Sequence, residues 1–339
     1  MVLMITRLPP PQQAEDWQQQ LVDGFTDVSA LLTFLNLPED AFAQQVERSF
    51  PLRVPRAFAV RMCKGDRNDP LLRQVLPVGD ETNRVPGFSL DPLSEKQHNP
   101  QPGILHKYQG RALVTLTGVC AVHCRYCFRR HFPYADNQVG RKHWPDILAY
   151  LQAHPQIHEV ILSGGDPLMV QDAILQAFIE QLKQLPQVTT LRIHSRLPIV
   201  LPDRVTPALG RLLADSGLRV VMVSHCNHPQ EIDESVARAA HLLRAHQIHL
   251  LNQAVLLRGV NDEAQTLVQL SKRLWEIDTL PYYLHVLDQV HGAAHFAVCL
   301  SVAKQLLQTM LGQLPGYLVP KLVREEAGAA SKILISLEQ

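Results

Sequence analysis

Short apolar runs alternate with longer amphipathic segments from residue 111 to residue 311. The runs are rich in Val, Ile and Leu and have the length of buried strands, while the segments between them carry apolar residues at helical spacing. Six strands are predicted in this way, at 112–117, 159–162, 189–194, 219–224, 249–255 and 282–286. Helices are predicted at 144–153, 170–185, 204–215, 231–245, 263–276 and 296–311. This alternation predicts parallel βα units with right-handed crossovers.

The spacing of the strands does not by itself distinguish an open doubly wound sheet from a barrel. In a βα barrel, functional residues gather at the carboxyl ends of the strands. Polar or reactive residues do end or follow the predicted strands here, namely Cys120, residues 163–166, His194, His225, Gln253 and Asp288. We therefore expect the functional site at that end of the sheet.

The chain before residue 111 shows no βα alternation. Helices are predicted at 14–22, 28–35 and 40–49, with Asp27, Ser29 or Pro38 as helix starts. Residues 63–101 are rich in Pro, Asp, Asn and Gly without a period, which indicates an ordered but irregular linker. The expected organisation is an extension at 1–105, a βα domain at 106–312 and a C-terminal segment at 313–339.

Composition narrows the classes of function. Lys and Arg number 32 and are balanced by 32 Asp and Glu, so no basic surface for nucleic acid is predicted. The longest apolar stretches have strand length, which gives no reason to expect a membrane span. The N-terminus carries one positive charge and a brief apolar run before three prolines, which is a poor signal peptide. We expect a cytoplasmic protein with reduced thiols.

Three of the six cysteines, Cys120, Cys124 and Cys127, lie within eight residues. Three thiolates at this spacing suit a loop folded around a [4Fe–4S] cluster, whose fourth iron then lacks a protein ligand. Structural zinc with His123 as the fourth ligand is one alternative, and unligated core cysteines are another. The aromatic Tyr126 directly before Cys127 and the βα units that follow favour the cluster.

The spacing of these cysteines resembles that of the radical S-adenosylmethionine superfamily. The resemblance implies a partial (β/α)6 TIM-like barrel with a mainly helical N-terminal extension, a [4Fe–4S] cluster and S-adenosylmethionine as cofactors. It also implies an external electron donor of the flavodoxin or ferredoxin type. The positions that match contacts to S-adenosylmethionine are Ser163, Gly164, Gly165, Asp166, His194 and Gln253.

Further segments between residues 100 and 335 resemble lysine 2,3-aminomutases; they begin at Cys124, His194, His225, Asn252 and Tyr282. The resemblance implies pyridoxal 5′-phosphate as a third cofactor and Lys332 as the lysine that forms its Schiff base. The loop before Lys332 departs from the family pattern, because Gly328 is followed by Ala, Ala and Ser where the family has glycines.

The same resemblance implies the remaining site residues. Lys107, Tyr108 and Arg111 match positions that hold the cofactor phosphate, and Lys107 supplies a point charge where longer family members have arginine. Arg129 matches the residue that pairs with the substrate carboxylate. Asp288 and Glu325 match the two acids that receive the distant ammonium of lysine, although the family more often has aspartate at the second position. Taken singly, each could be an ordinary surface charge.

The resemblance thus implies an isomerase that converts L-α-lysine to β-lysine, most similar to short family members. Those members supply (R)-β-lysine for modification of elongation factor P by its lysyl ligase. A radical enzyme for another amino acid or for lysine catabolism is an alternative, as is a non-catalytic iron–sulfur protein. Asp288 and Glu325 argue against glutamate as substrate, since they would repel its side chain.

Overall fold

The computed structural model describes residues 17–38, 50–137 and 139–337. The helices are α1 Trp17–Val22, α2 Val28–Phe34, α3 Arg56–Ala59, α4 Pro70–Arg73, α5 Tyr134–Asn137, α6 Trp144–Ala153, α7 Asp172–Leu182, α8 Leu197–Val200, α9 Pro207–Ala214, α10 Glu234–Ala245, α11 Ala264–Glu276 and α12 Leu300–Leu311. The strands are β1 Ile104–Tyr108, β2 Arg111–Val114, β3 Glu159–Leu162, β4 Thr190–Ser195, β5 Arg219–His225, β6 His249–Leu256, β7 Leu280–Val286, β8 Lys321–Arg324 and β9 Ile333–Leu334.

The strands form one sheet in chain order, from β1 to β9. Strands β2 to β8 are all parallel, whereas β1 and β9 pair antiparallel at the two ends. The helices between the strands bury one face of the sheet, as the 0% exposure of Leu191 and Ile193 in β4 shows. The architecture is a partial TIM-like barrel, which confirms the expected fold class.

All six predicted strands are present, and β3 has the predicted bounds. The sequence pattern missed β1, β8 and β9, because each contains only two consecutive apolar residues, whereas β2 and β3 contain three. The added β8 gives a seventh parallel strand, so the segment after residue 313 belongs to the sheet. The proposed division at residues 105 and 312 stays a prediction.

The predicted N-terminal helices are found in part. Helix α2 starts at the predicted cap, where the Asp27 carboxylate accepts a hydrogen bond from Ala30 N at 2.9 Å. Helix α1 matches the described end of the 14–22 prediction, and the 40–49 prediction lies outside the described residues. Among the described residues, no helix is long and apolar enough to cross a membrane.

Candidate active site

The carboxyl ends of the central strands bring three of the predicted site residues together. Along β6, residues of one face are buried against the helices, while Gln253 lies on the other, more open face. Gln253 Nε2 lies 2.8 Å from His225 Nε2 at the end of β5. The rings of His225 and His194 are 6.0 Å apart. These side chains line the interior of the partial barrel, as the strand-end rule predicts.

The histidines of the barrel interior have lowered pKa values, and in the described part of the chain two of them lack a hydrogen-bond partner at one ring nitrogen. Burial lowers the pKa of His225 to about 3, and burial together with the charge of Arg192 lowers the pKa of His194 well below its ordinary value. Burial and the charge of Lys332 do the same to His285, a residue to which sequence reasoning assigned no role. Within the described residues, Nε2 of His194 and Nε2 of His285 are buried without a hydrogen-bond partner. Orphaned buried nitrogens of this kind indicate room for a polar ligand.

Lys332 lies at the edge of the same interior, in the loop that leads into β9. Its Nζ donates to Glu325 Oε2 at 2.6 Å, and Lys107 Nζ donates to Glu325 Oε1 at 3.1 Å. The Arg111 guanidinium stacks over the Tyr108 ring at 4.5 Å. The three residues predicted to hold a phosphate therefore lie in the same region as the amine of Lys332.

The two acids predicted for the substrate ammonium have different environments. Burial would raise the pKa of Glu325, but Lys332 and Lys107 outweigh it and lower that pKa to about 2. Burial and the neighbouring charge of Glu325 raise the pKa of Asp288 to about 7. Glu325 is thus an ionised carboxylate engaged by two lysines. The carboxyl group of Asp288, in contrast, changes between its protonated and ionised forms near neutral pH. Their roles toward an ammonium stay predictions.

Arg129 is held by a carboxylate that sequence reasoning did not identify. Glu95 accepts from Arg129 Nε at 2.8 Å and from Nη2 at 2.7 Å, and both side chains are buried. Ser163 Oγ accepts from Arg129 Nη1 at 3.2 Å. Glu95 lies in the irregular linker, where no hydrophobic period marked it. A cavity of about 90 Å³ adjoins the pair and is lined by both side chains together with Phe128 and Phe132.

The three clustered cysteines lie on the loop between β2 and α5. Burial raises the pKa of Cys127 to about 11 and that of Cys120 well above its ordinary value, and the neighbouring thiols add to both effects. The thiols therefore influence one another's ionisation. His123 is turned to the N-terminal extension, where its Nδ1 lies 2.8 Å from Pro51 O and its ring stacks on Phe50. No three His, Cys, Asp or Glu side chains of the described residues converge as ligands of a single metal ion.

The N-terminal extension holds this loop by buried ion pairs. Arg125 makes two hydrogen bonds to the Glu81 carboxylate, one of them at 2.7 Å, and Arg130 Nη2 donates to the same carboxylate at 2.7 Å. Arg125 N donates to Gln74 O at 2.9 Å. Arg125 and Glu81 are both 0% exposed, so these contacts form in a dry environment. The extension therefore serves as a scaffold for the cysteine loop.

The loop after β3 packs directly on the cysteine loop. Gly165 N donates to Thr117 O at 3.0 Å and Asp166 N to Val119 O at 2.9 Å. A side chain at Gly165 would lie 2.6 Å from Gly118 C, which only glycine avoids. The Asp166 carboxylate accepts from Ser195 Oγ at 2.7 Å. Its side chain thus braces the barrel, and a cofactor contact from this segment would come from the backbone.

The segment that begins at His225 contributes three polar side chains, and they lie in different places. The structure places His225 in the interior, whereas Asn227 is buried behind the cysteine loop, where its Nδ2 donates to Tyr126 OH at 2.7 Å. His228 Nδ1 accepts from Gln230 N at 3.2 Å and closes a turn. Only His225 of the three faces the region of Lys332.

Comparison with known proteins identifies the family. Residues 114–270 match the model of the Radical SAM superfamily. The L-lysine 2,3-aminomutase of Escherichia coli strain K12 is 51% identical over 96% of this chain and 95% of its own length. The chain belongs to the lysine 2,3-aminomutase family. The Haemophilus influenzae family member is 48% identical over 96% of this chain and 97% of its own length. Family membership makes the chain an isomerase of the aminomutase type.

The fold agrees with a distant superfamily structure. A radical SAM methyltransferase from Sphaerobacter thermophilus superposes with a TM-score of 0.50 at 12% identity, covering 65% of this chain and 68% of that one. This likeness concerns the fold alone. Membership of the superfamily implies a [4Fe–4S] cluster and S-adenosylmethionine as cofactors of this aminomutase family member.

Proposed function

We propose that this enzyme converts L-α-lysine to β-lysine, with pyridoxal 5′-phosphate held by Lys332 in addition to the cluster and S-adenosylmethionine. The observation that carries the proposal is the meeting of Lys332 and Lys107 on the single carboxylate of Glu325. An amine and a second cation a few ångströms away are what a phosphate-bearing aldehyde requires. The L-lysine 2,3-aminomutases of Escherichia coli and Haemophilus influenzae, which match 96% of this chain, support the same reaction.

The residues present fit pyridoxal phosphate. Lys107, Tyr108 and Arg111 supply two cations and a hydroxyl for the phosphate, at one edge of the interior. The orphaned nitrogens of His194 and His285 offer hydrogen bonds to further polar groups inside. The cluster would be held by Cys120, Cys124 and Cys127, whose close thiols lose their protons when iron binds. S-adenosylmethionine would be held by His194, Gln253 and the loop that carries Gly164.

When bound, the reduced cluster with S-adenosylmethionine supplies a carbon radical that removes hydrogen, and pyridoxal phosphate supplies the π system on which an amino group moves. This chain positions the groups and protects them. Arg129 binds the substrate carboxylate, with Glu95 and Ser163 fixing its guanidinium. Asp288 and Glu325 receive the distant ammonium. The buried walls exclude water and competing hydrogen donors.

We further propose that the product is (R)-β-lysine for the modification of elongation factor P through its lysyl ligase. The higher identity to the Escherichia coli and Haemophilus influenzae members, against 34% for that of Clostridium subterminale, supports this placement. A flavodoxin- or ferredoxin-like protein would reduce the cluster. All six cysteines are unpaired, which fits a cytoplasmic location.

The test is anaerobic reconstitution with iron, sulfide and pyridoxal phosphate, followed by incubation with reductant, S-adenosylmethionine and L-lysine. Chiral chromatography of the products is expected to show β-lysine, and Cys120→Ala or Lys332→Ala should abolish it. Formation of 5′-deoxyadenosine without β-lysine would mean another amino acid is the substrate. Absence of both products from fully loaded protein would overturn the catalytic proposal.

A further inference from the structure

A guanidinium touches one of the cluster sulfurs. Arg196 follows β4 directly, and its Nη1 donates to Cys124 Sγ at 2.7 Å. Arg196 is 5% exposed, so the contact forms away from water. Neither the superfamily match nor the names of the relatives assign any role to this arginine. Its position beside a cluster ligand, rather than beside the substrate region, separates it from the residues discussed above.

The guanidinium is fixed on its other side by two polar groups. Arg196 Nη2 donates to Gln74 Oε1 at 2.7 Å and lies 3.3 Å from Glu231 Oε2. Gln74 Nε2 in turn donates to Glu231 Oε1 at 3.0 Å, and both residues are 0% exposed. The backbone N of Arg196 donates to Asp166 Oδ2 at 2.8 Å. With its backbone and its head group both held, Arg196 cannot swing away from the sulfur.

The consequence concerns the charge of the cluster. Reduction by one electron adds a negative charge that spreads onto the thiolate sulfurs. An N–H donor and a positive charge at a sulfur stabilise the reduced form more than the oxidised form, and this effect is larger in a dry, low-dielectric environment. Glu231 works in the opposite direction, because its carboxylate partly neutralises the guanidinium.

We propose that Arg196 is a positioning residue that orients Cys124 as a cluster ligand and raises the reduction potential of the [4Fe–4S] cluster. Gln74 holds the guanidinium against the sulfur, and the negative charge of Glu231 limits the effect of Arg196 on the reduction potential. A one-electron donor such as dithionite or an electron-transfer protein supplies the electron. The proposal does not depend on which amino acid is the substrate.

The test measures the midpoint potential of the reconstituted cluster. The cluster is titrated with dithionite, and electron paramagnetic resonance reports the fraction that is reduced. Arg196→Gln should lower the potential and Arg196→Lys should lower it less, because lysine keeps the charge but not the fork. Glu231→Gln should raise the potential. Arg204→Gln is the matched control, since Arg204 is also buried and paired with a carboxylate, that of Asp172, but does not contact a cysteine; it should leave the potential unchanged.

A potential that stays at the wild-type value in Arg196→Gln protein with a full cluster overturns the proposal. If that variant does not retain a cluster, the other two variants test the proposal. The midpoint potential should fall in Arg196→Lys and rise in Glu231→Gln, and shifts of the same sign would contradict the proposal. Resonance Raman spectra add an independent measurement. Weakening of the N–H···S bond should move an iron–thiolate stretch to higher frequency in Arg196→Lys, and identical spectra and potentials in that variant and the wild type would contradict the proposal.

Discussion

Lys332 Nζ lies 2.6 Å from Glu325 Oε2, and both side chains are largely buried. The two residues are only seven positions apart in the sequence. The same carboxylate also accepts a hydrogen bond from Lys107, which lies in β1 at the other end of the strand order. Glu325 therefore engages the amine proposed to bind pyridoxal phosphate, and that amine must leave the ion pair before it can react with the aldehyde. This relationship makes the acid a control point for loading, in addition to its predicted role toward the substrate.

Glu325→Gln should let pyridoxal phosphate load at a lower concentration. The substitution removes the carboxylate that engages Lys332 Nζ at 2.6 Å, so the amine no longer has to leave an ion pair before it reacts with the aldehyde. We expect the cofactor concentration at which half of the protein carries the visible chromophore to fall about fivefold, equivalent to ~1 kcal/mol. Absorption spectra across a cofactor titration measure this. Glu326→Gln, which alters an exposed neighbour paired with Arg324, should leave the midpoint in place.

Asp288 should make lysine binding depend on pH near neutrality. Its raised pKa of about 7 means that the carboxylate is protonated below that value and cannot pair with an ammonium. We expect kcat/KM for L-lysine to rise about tenfold from pH 6 to pH 8, as one ionisation near pH 7 requires. The steady-state profile of Asp288→Asn should be lower and lack this rise. An unchanged profile in the variant would exclude Asp288 as the responsible group.

The same carboxyl group affects stability with a defined sign. Because its pKa is higher in the folded protein than the ordinary value of 3.8, the folded state binds the proton more tightly than the unfolded state. Its contribution to the free energy of unfolding is therefore largest at low pH and is lost as pH rises through 7. Thermal unfolding of the ligand-free protein from pH 5 to pH 8 should show a steeper decline in the wild type than in Asp288→Asn.

Glu95→Gln should weaken lysine binding more than it slows turnover. Glu95 engages two of the five N–H groups of Arg129, and Ser163 engages a third. That arrangement leaves the guanidinium oriented by its own protein for an incoming carboxylate. Loss of the ion pair should raise KM for lysine roughly tenfold, equivalent to ~1.4 kcal/mol, with a smaller change in kcat. A fall in kcat with unchanged KM would contradict a positioning role.

Gly165→Ala should damage the cysteine loop. The new Cβ would lie 2.6 Å from Gly118 C and 2.7 Å from Val119 N, both backbone atoms that cannot yield without moving the loop. We expect a loss of about 2 kcal/mol in the free energy of unfolding, as for other overpacked sites, and reduced iron retention. Denaturant unfolding and iron analysis measure these. Gly140→Ala, where nothing lies within 4 Å of the new Cβ, should behave as wild type.

Local patterns and local motifs made much of the protein predictable. The pattern of the apolar residues identified six of the seven parallel strands and most of the helices, because side-chain spacing along one element reports which face is buried. The cysteine spacing predicted the loop proposed to hold an iron–sulfur cluster. Strands β8 and β9 were missed, since each contains only two consecutive apolar residues.

The sequence by itself thus determined the fold class, the cysteine loop and the family of the chain, because each of these is written in residues that are close together along the chain. Tertiary structure alone decided which charges meet. Lys107 and Glu325 are 218 residues apart, Arg196 and Cys124 are 72 apart, and Glu95 and Arg129 are 34 apart. Such pairs depend on strand order, register and the path of the N-terminal extension. A buried charge must be paired with an opposite charge that is close in space, and the spacing of residues along the chain does not show which residues will be close.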